Sequence, residues 1–266
     1  MTEPDIASPS NPRIKAAVRL RDRRERDRAG LTLIDGGREL RRALEAGVVV
    51  EEAFVHSPLL RTDDAKAALE RLHATEAAIL TVSEEAFEKV AFGDRADGIV
   101  AVVRAPGADL KSLLVPGDPL VVVLEGVEKP GNIGAVLRSA DGAGADAVVV
   151  ADPRTDLHNP NAIRASLGTI FTVPMGAGPT PHVRTWLASH RVRLVAARTD
   201  ASALPWEVDL TGPVAIVLGS EAEGLGSRWI DDDVVTVRIP MLGVADSLNV
   251  SVAAAVLLYE ARRQRG

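Results

Sequence analysis

Asn132 and Arg138 are the first side chains in this sequence with the spacing to act together on a ligand. They follow the apolar run 120–124 and lie six residues apart, where a Gly/Pro loop turns into a predicted helix. On one helix they could converge on one site, but the spacing also fits a capped helix with an exposed arginine. The segment lacks the Gly-x-Gly-x-x-Gly pattern of dinucleotide-binding proteins.

A second polar segment, 219–226, follows the apolar run 214–218. It contains three glycines and two carboxylates, and Glu221 comes immediately after the turn. Glycine lets backbone amides and carbonyls approach a ligand closely, so the segment is a candidate binding loop. Considered alone, it fits a solvated acidic turn equally well.

The third segment, 237–251, begins where a predicted strand ends at Pro240 and leads through an irregular loop into an apolar helix. Ser247 is a natural N-cap for that helix. This interpretation leaves Asn249 unexplained, because asparagine is unfavourable inside the first helical turn and usually makes a specific hydrogen bond. Pro240 frees the preceding backbone from the strand ladder, which suits recognition of a purine edge by main-chain groups.

Two alternating series of strands and helices are predicted to position these segments. The first has strands at 31–34, 48–55, 78–82 and 98–103 and helices at 12–28, 37–46, 63–73 and 84–90. After a Pro/Gly break at 105–109, the second has strands at 120–124, 147–150, 192–196, 214–218 and 234–239, and a final helix at 248–262. Nearly continuous apolar strands are typical of a parallel sheet covered on both faces. We therefore expect an α/β fold with domains at 1–105 and 106–266.

Composition limits both the chemistry and the compartment. Of the 266 residues, 46% are hydrophobic but none is cysteine, which excludes a disulfide framework, a thiol nucleophile and a Cys-ligated zinc site. The N-terminus is acidic without an apolar stretch, and the apolar runs are too short to span a bilayer, so we expect a cytoplasmic protein.

The net charge of −6 weakly disfavours a nucleic-acid partner, but residues 13–42 hold eleven Lys or Arg against five Asp or Glu.

Together, the three segments resemble the signature of the SpoU-type (TrmH-like) RNA ribose methyltransferases of the SPOUT superfamily. The patterns are Asn-x-Gly-Ala-x-x-Arg-Ser from Asn132, Gly-Ser-Glu-x-x-Gly from Gly219, and Ile-Pro-Met from Ile239 with Ser-Leu-Asn-Val-Ser after it. The resemblance covers roughly 118–264, and 164–168 is similar to the family's mid-domain segment. The N-terminal half resembles a small ribosomal-protein-like RNA-binding domain, although Asp35-Gly36 stands where relatives often have Glu-Gly.

This resemblance implies an S-adenosylmethionine-dependent enzyme that methylates a ribose 2′-hydroxyl in RNA. It also implies a deep trefoil knot that holds the cofactor, and a homodimer whose active site lies at the subunit interface. No metal is required. The extra N-terminal domain favours 23S ribosomal RNA as the substrate. The 26 Arg against five Lys indicate a GC-rich coding sequence. By analogy with family members of GC-rich antibiotic producers, the resemblance suggests a role in antibiotic resistance.

The resemblance assigns roles to individual residues. The expected catalytic side chains are Asn132, Arg138, Glu221, Ser247 and Asn249. The expected cofactor-binding residues are Thr199, Leu218, Gly219, Ile239, Met241, Ser247 and Leu248. RNA is expected to contact Arg13, Lys15, Arg19, Arg23 and Arg41. Because a guanidinium is effectively always protonated, we expect Arg138 to bind phosphate and stabilise a developing alkoxide, with the proton lost to a neighbouring group or water.

Other interpretations stay open. The basic stretch also fits a solvated, salt-bridged helix, because Asp22, Glu25 and Asp27 interleave its arginines. The substrate could be transfer RNA, or the chain could be a non-catalytic ribosome-assembly factor that kept the fold. An ordinary nucleotide-binding enzyme is disfavoured, because the Walker pattern is missing as well.

Overall fold

The computed structural model describes residues 3–93, 97–221 and 223–266. The chain forms two compact units. The first extends to Pro106 and also includes His158–Thr172, and the second consists of Gly107–Leu157 and Val173–Gly266. These units differ from the predicted domains chiefly at 158–172, which the sequence places in the second half. Within the described ranges, no helix is both long enough and apolar enough to cross a membrane.

The described part of the chain contains nine helices and ten strands, besides short 3-10 turns and the connecting loops. The helices are α1 (Pro12–Arg19), α2 (Arg23–Ala29), α3 (Gly37–Glu45), α4 (Asp63–Leu72), α5 (Glu84–Val90), α6 (Pro130–Ala143), α7 (Pro160–Ala165), α8 (Thr180–Ser189) and α9 (Val250–Arg265). The strands are β1 (Leu31–Asp35), β2 (Val50–Val55), β3 (Ala78–Thr81), β4 (Ile99–Arg104), β5 (Leu120–Glu125), β6 (Ala147–Ala151), β7 (Met175–Gly178), β8 (Arg193–Ala197), β9 (Val214–Leu218) and β10 (Val234–Val237).

The first unit contains a four-stranded mixed sheet in the order β1-β4-β2-β3. Strand β4 runs antiparallel to β1 and β2, whereas β2 and β3 are parallel. Its apolar side chains, among them Leu33, Phe54 and Val100, pack in one core with Ile14 of α1 and Phe87 of α5. The predicted α/β character of this half is confirmed.

The basic region forms two helices where the sequence predicted one over 12–28. The Asn11 side chain accepts a hydrogen bond from the Arg13 N–H (2.9 Å) and begins α1. The Asp22 side chain accepts from the Arg24 N–H (2.8 Å) and begins α2. A short polar side chain that satisfies free backbone donors in this way favours a new helix start over continuation of the old helix.

Residues 158–172 are built into the first unit by polar contacts. The Thr32 hydroxyl donates to the His158 carbonyl (2.7 Å), and the Arg42 guanidinium donates to the Leu167 carbonyl (2.9 Å). The guanidinium of Arg164 lies 3.7 Å from the carboxylate of Asp35, whose side chain is only 1% exposed. These contacts explain why a segment between two strands of the second sheet belongs to the first unit.

Gly168 lies in that segment at a position that favours glycine. Its φ is +85°, and a Cβ atom there would lie 3.1 Å from the Glu39 Cα and 3.1 Å from the Arg42 Cβ. A side chain would strain the left-handed backbone and crowd these neighbours. The mid-domain segment singled out in the sequence therefore has a structural role in the first unit.

The second unit contains a six-stranded sheet in the order β10-β8-β9-β5-β6-β7, and every pairing in it is parallel. The predicted parallel sheet is confirmed. Strand β7 was missed because its sequence, Met-Gly-Ala-Gly, has neither β-branched residues nor alternation. The threading of the C-terminal segment into a trefoil knot stays a prediction, since strand order does not define it.

The second sheet is buried on both faces, as its apolar strands require. On one face, Val121 and Val123 of β5 pack with Val183 and Leu187 of α8. Helices α6 and α9 pack against each other, and α9 also contacts β9. In a parallel sheet all strands end at the same edge, so the loops after β5, β8, β9 and β10 meet at its carboxyl edge.

Candidate active site at the carboxyl edge of the parallel sheet

The three segments singled out in the sequence occupy this edge. The first connects β5 to α6, the second follows β9, and the third connects β10 to α9. Asn132 lies in the first turn of α6, and Asn249 immediately precedes α9. Glu221 lies in the loop after β9, where Ala222 falls outside the described residues.

Glu221 is the centre of a hydrogen-bonded cluster that joins all three segments. Its Oε1 accepts from the Asn132 Nδ2 (3.0 Å) and from the Asn249 Nδ2. Its Oε2 accepts from the Lys129 ammonium (2.7 Å). The Asn249 Nδ2 also lies 3.3 Å from the Asn132 Oδ1. Three of the five predicted catalytic side chains are therefore in direct contact, although they are up to 117 residues apart.

The charge state of the cluster follows from these contacts. Hydrogen bonding to Lys129, followed by the amides of Asn132 and Asn249, lowers the pKa of Glu221 below its ordinary value. The same bond raises the pKa of Lys129. Glu221 is therefore a carboxylate at neutral pH, and it acts as a hydrogen-bond acceptor rather than as a general acid.

Asn249, and not Ser247, is the N-cap of α9. Its Oδ1 accepts from the Ser251 N–H (2.9 Å), so the helix begins two residues later than the sequence predicted. The assignment of Ser247 as the cap was wrong. Asn249 satisfies the helix start with its oxygen while its amide nitrogen binds Glu221, so one side chain explains both features of the sequence.

Ser247 and Arg138 lie outside the Glu221 cluster. Ser247 is exposed and lines the large cavity described below. Arg138 is exposed on α6, and it forms no hydrogen bond or ion pair with any residue of the described ranges. The predicted convergence of Arg138 with Asn132 does not occur within one chain, because six residues on a helix leave the two side chains on different faces.

A cavity of about 760 Å³ lies beside the cluster. All seven residues predicted to bind the cofactor line it: Thr199, Leu218, Gly219, Ile239, Met241, Ser247 and Leu248. Its volume is within the range of small-molecule sites, roughly 300–1,000 Å³. Its lining is both apolar and charged: the carboxylates of Asp200, Glu221 and Asp246 line it together with Arg198 and Arg238, and Arg198 is paired with Asp200.

Gly219 shows how closely the backbone packs at this cavity. A Cβ atom there would lie 2.1 Å from the Gly224 carbonyl carbon and 2.4 Å from the Leu225 nitrogen. No side chain fits, so the turn after β9 can form only with glycine. The sequence identified this glycine as a binding residue, and the structure adds a local packing reason for it.

A smaller cavity of about 230 Å³ adjoins the first and shares its residues Ser220, Glu221 and Val250. Its other walls are Val127, Glu128, Lys129 and Asn132. Sequence reasoning missed Lys129, although it is the lysine of the first segment and faces a predicted carboxylate. Arg154 binds Glu128 (3.1 Å) and Glu223 (2.6 Å) and so tethers the first and second segments, but it lines neither cavity and does not contact Glu221.

The five residues predicted to bind RNA differ in their surroundings. Lys15 and Arg19 are exposed one turn apart on α1 and make no ion pair with any residue in the described part of the chain. Arg13 lies 3.5 Å from Glu52, and Arg23 lies 3.5 Å from Asp27. Arg41 binds Asp64 and Glu45 at 2.8 Å each, which ties it into an ion-pair network. The salt-bridged interpretation thus describes part of this surface.

The parallel sheet, the polar cluster and the adjoining cavity define an α/β enzyme whose site lies at the carboxyl edge. The sequence profile of the SpoU rRNA Methylase family matches residues 119–259. The profile of the MRM3-like substrate binding domain matches residues 11–101. The chain therefore belongs to the SpoU rRNA methylase family.

Similar proteins extend this result over the whole chain. A 23S rRNA (uridine(2479)-2′-O)-methyltransferase of Streptomyces viridochromogenes is 33% identical, over 92% of this chain and 87% of the relative. A crystal structure of an RNA 2′-O ribose methyltransferase is 45% identical with a TM-score of 0.86, over 97% of this chain and 98% of that one. The SpoU methyltransferase AviRb of S. viridochromogenes, in complex with AdoMet, is 32% identical with a TM-score of 0.84, over 96% and 98%.

The prediction of the enzyme class is confirmed by these matches. The chain is an S-adenosylmethionine-dependent RNA 2′-O-ribose methyltransferase. The substrate-binding profile falls in the first unit, and the methylase profile falls largely in the second.

Proposed function

We propose that this enzyme methylates a ribose 2′-hydroxyl of 23S ribosomal RNA, as a homodimer in the cytoplasm. The observation that carries the proposal is the convergence of Glu221, Asn132 and Asn249 beside the 760 Å³ cavity lined by all the predicted cofactor residues. The S. viridochromogenes relative, which matches over both units, is named for this type of reaction on 23S rRNA.

S-adenosylmethionine supplies an electrophilic methyl group on a positively charged sulfur. The acceptor ribose hydroxyl is a weak nucleophile, so the enzyme must position it and help remove its proton. The Glu221 carboxylate lies on the wall shared by the two cavities, and the Asn132 amide lines the smaller one, so an acceptor and a donor face this space. The smaller cavity, about 230 Å³, is the proposed place for the acceptor ribose.

Proton removal is assigned by the charges of the site. Glu221 already accepts three hydrogen bonds, which lower its pKa and make it a weak base. A guanidinium group is a poor base in proteins, so Arg138 is not assigned to take the proton. We therefore propose that Arg138 binds the neighbouring phosphate and stabilises the developing alkoxide, while the proton passes to water.

A homodimer would complete the site. Within one chain Arg138 does not reach Glu221, so we propose that Arg138 serves the partner subunit's cluster. An exposed apolar stripe on α9 supports self-association: Val252, Val256 and Tyr259 lie at one-turn spacing and are 47%, 42% and 54% exposed.

Subunit mixing tests this arrangement. Arg138→Ala and Asn249→Ser should each abolish or strongly reduce methyl transfer while leaving folding intact. Refolding the two variants together should recover about one quarter of wild-type turnover, because half of the dimers are mixed and each mixed dimer has one intact shared site. If both residues act within one chain, mixing will restore nothing.

RNA recognition is proposed to involve the exposed cations of α1. Phosphate contacts make affinity fall steeply with salt. Lys15→Gln together with Arg19→Gln should weaken RNA binding and flatten its salt dependence. The matched control is Arg41→Gln, since Arg41 is already neutralised by Asp64 and Glu45. An equal loss in the control would contradict the assignment.

The substrate is tested directly. The purified enzyme is incubated with labelled cofactor and unmodified 23S or transfer RNA, and the 2′-O-methyl group is mapped. Label confined to transfer RNA would replace the proposed substrate, and no label in any RNA would favour a non-catalytic RNA-binding role. A role in antibiotic resistance is tested by expressing the chain in a drug-sensitive host. Unchanged drug sensitivity of that host would contradict the role in resistance.

A further inference from the structure

Lys129 contacts the central carboxylate of the site but lies outside the residues that the family resemblance assigned. Its ammonium donates to the Glu221 Oε2 at 2.7 Å. The Lys129 side chain is 73% exposed and the Glu221 side chain 29% exposed, so the pair lies at the mouth of the smaller cavity. Lys129 immediately precedes Pro130, the first residue of α6.

The contacts of Glu221 divide between its two oxygens. Oε1 receives both asparagine amides, whereas Oε2 receives the lysine alone among the described residues. A carboxylate held by neutral amides on one side can still rotate about its Cγ–Cδ bond. A charged donor on the second oxygen opposes that rotation, because a charge-assisted hydrogen bond is about twice as strong as a neutral one.

We propose that Lys129 is a positioning residue of the methyltransferase, whose ammonium fixes the Glu221 carboxylate so that its other oxygen faces the two asparagine amides. Lys129 lines the smaller cavity and not the larger one, so the proposal places its main effect on the acceptor side of the site. The kinetic part of this inference rests on the proposed RNA methylation.

Arg154 provides a matched control. It joins the same two loops as Lys129, through Glu128 at 3.1 Å and Glu223 at 2.6 Å, but it does not touch Glu221. Arg154 therefore shares the loop-tethering role of Lys129 without the positioning role. A purely structural function of Lys129 predicts the same behaviour for both variants.

The experiment compares Lys129→Met, Lys129→Arg and Arg154→Met in the full-length enzyme. Glutamate labelled with ¹³C at the side-chain carboxyl is titrated by NMR, and the Glu221 signal is assigned by its loss in Glu221→Gln. Methyl transfer to 23S rRNA is measured in parallel, and cofactor affinity is measured by calorimetry.

In Lys129→Met we expect the Glu221 titration midpoint to move up, because the donor that most lowers its pKa is gone. The remaining groups facing Glu221 are the neutral amides of Asn132 and Asn249, while Glu128 acts on Lys129 and Glu223 is held by Arg154. We expect kcat to fall about 3- to 10-fold, as befits a partly exposed ionic contact, with unchanged cofactor affinity. Lys129→Arg should retain the wild-type Glu221 titration midpoint and the wild-type kcat. Arg154→Met should change neither the midpoint nor kcat.

An unchanged Glu221 midpoint in Lys129→Met would overturn the proposal, and so would an equal loss of kcat in Arg154→Met. The titration needs no RNA. If wild-type enzyme labels no RNA, the proposed function fails, whereas the titration still decides whether Lys129 controls Glu221.

Discussion

Replacing Asn249 by serine should remove most methyl transfer while keeping the N-cap of α9. Asn249 has two roles, since its Oδ1 caps α9 through the Ser251 N–H and its Nδ2 donates to Glu221. Serine is as good an N-cap as asparagine but lacks the amide. Alanine lacks both groups, so the two substitutions separate the roles.

The magnitudes follow from the two contacts. Loss of an N-cap costs about 1 kcal/mol of stability, which applies to Asn249→Ala and not to Asn249→Ser. Loss of a hydrogen bond to a charged group is worth about 1.5–3 kcal/mol, and the exposure of Asn249 favours the lower end. Since about 1.4 kcal/mol corresponds to a factor of ten in rate, we expect kcat to fall at least about tenfold in both variants.

Two measurements check this reasoning. Denaturant unfolding gives the stability of each variant, and single-turnover transfer to RNA gives the rate. We expect the variants to differ in stability and to agree in rate. Wild-type turnover in Asn249→Ser would show that Asn249 is only a helix cap and that its bond to Glu221 has no part in the reaction.

Two further predictions concern other parts of the molecule. Burial raises the pKa of Asp35, and the backbone amides of Phe92 and Gly93, followed by Arg164, oppose that rise. Ionised Asp35 therefore destabilises the fold above its raised pKa and not below the unfolded value of about 3.9. Arg164→Met should therefore lower the unfolding free energy by about 2–3 kcal/mol at about pH 7 and by much less at about pH 4, and a pH-independent loss would contradict this cause. Gly219→Ala should reduce cofactor affinity about tenfold or more, because its Cβ would lie 2.1 Å from the Gly224 carbonyl carbon. Calorimetry checks it against Gly117→Ala, whose Cβ meets nothing within 4 Å.

The sequence predicted the sheet of the second unit well where the strands are long and rich in β-branched residues. Val214–Leu218 and Leu120–Glu125 are almost entirely apolar and buried, so periodicity and burial agree. Prediction failed where a local side chain decided the structure. Asp22 splits a basic helix in two, and Asn249 moves the start of α9, since capping bonds depend on geometry that hydrophobic patterns do not report.

The candidate site was predictable as a set of residues but not as an arrangement. Motif order identified Glu221, Asn132 and Asn249, which are in contact. It gave equal weight to Arg138, whose side chain lies outside the cluster within one chain, because a linear pattern does not report which face of a helix a side chain occupies. Lys129 was missed because its contact is with Glu221, 92 residues away in the sequence, and a local motif does not report such a contact.

The placement of 158–172 in the first unit has a consequence for biosynthesis. During translation, the N-terminal sheet is finished at β4, but the counter-ion of buried Asp35 is supplied by Arg164, about 60 residues later. The first unit therefore reaches its full set of contacts only after β5 and β6 of the second sheet have been synthesised. A fragment ending near Pro106 would lack this segment, so exchanging the N-terminal part between relatives requires transfer of both stretches of chain.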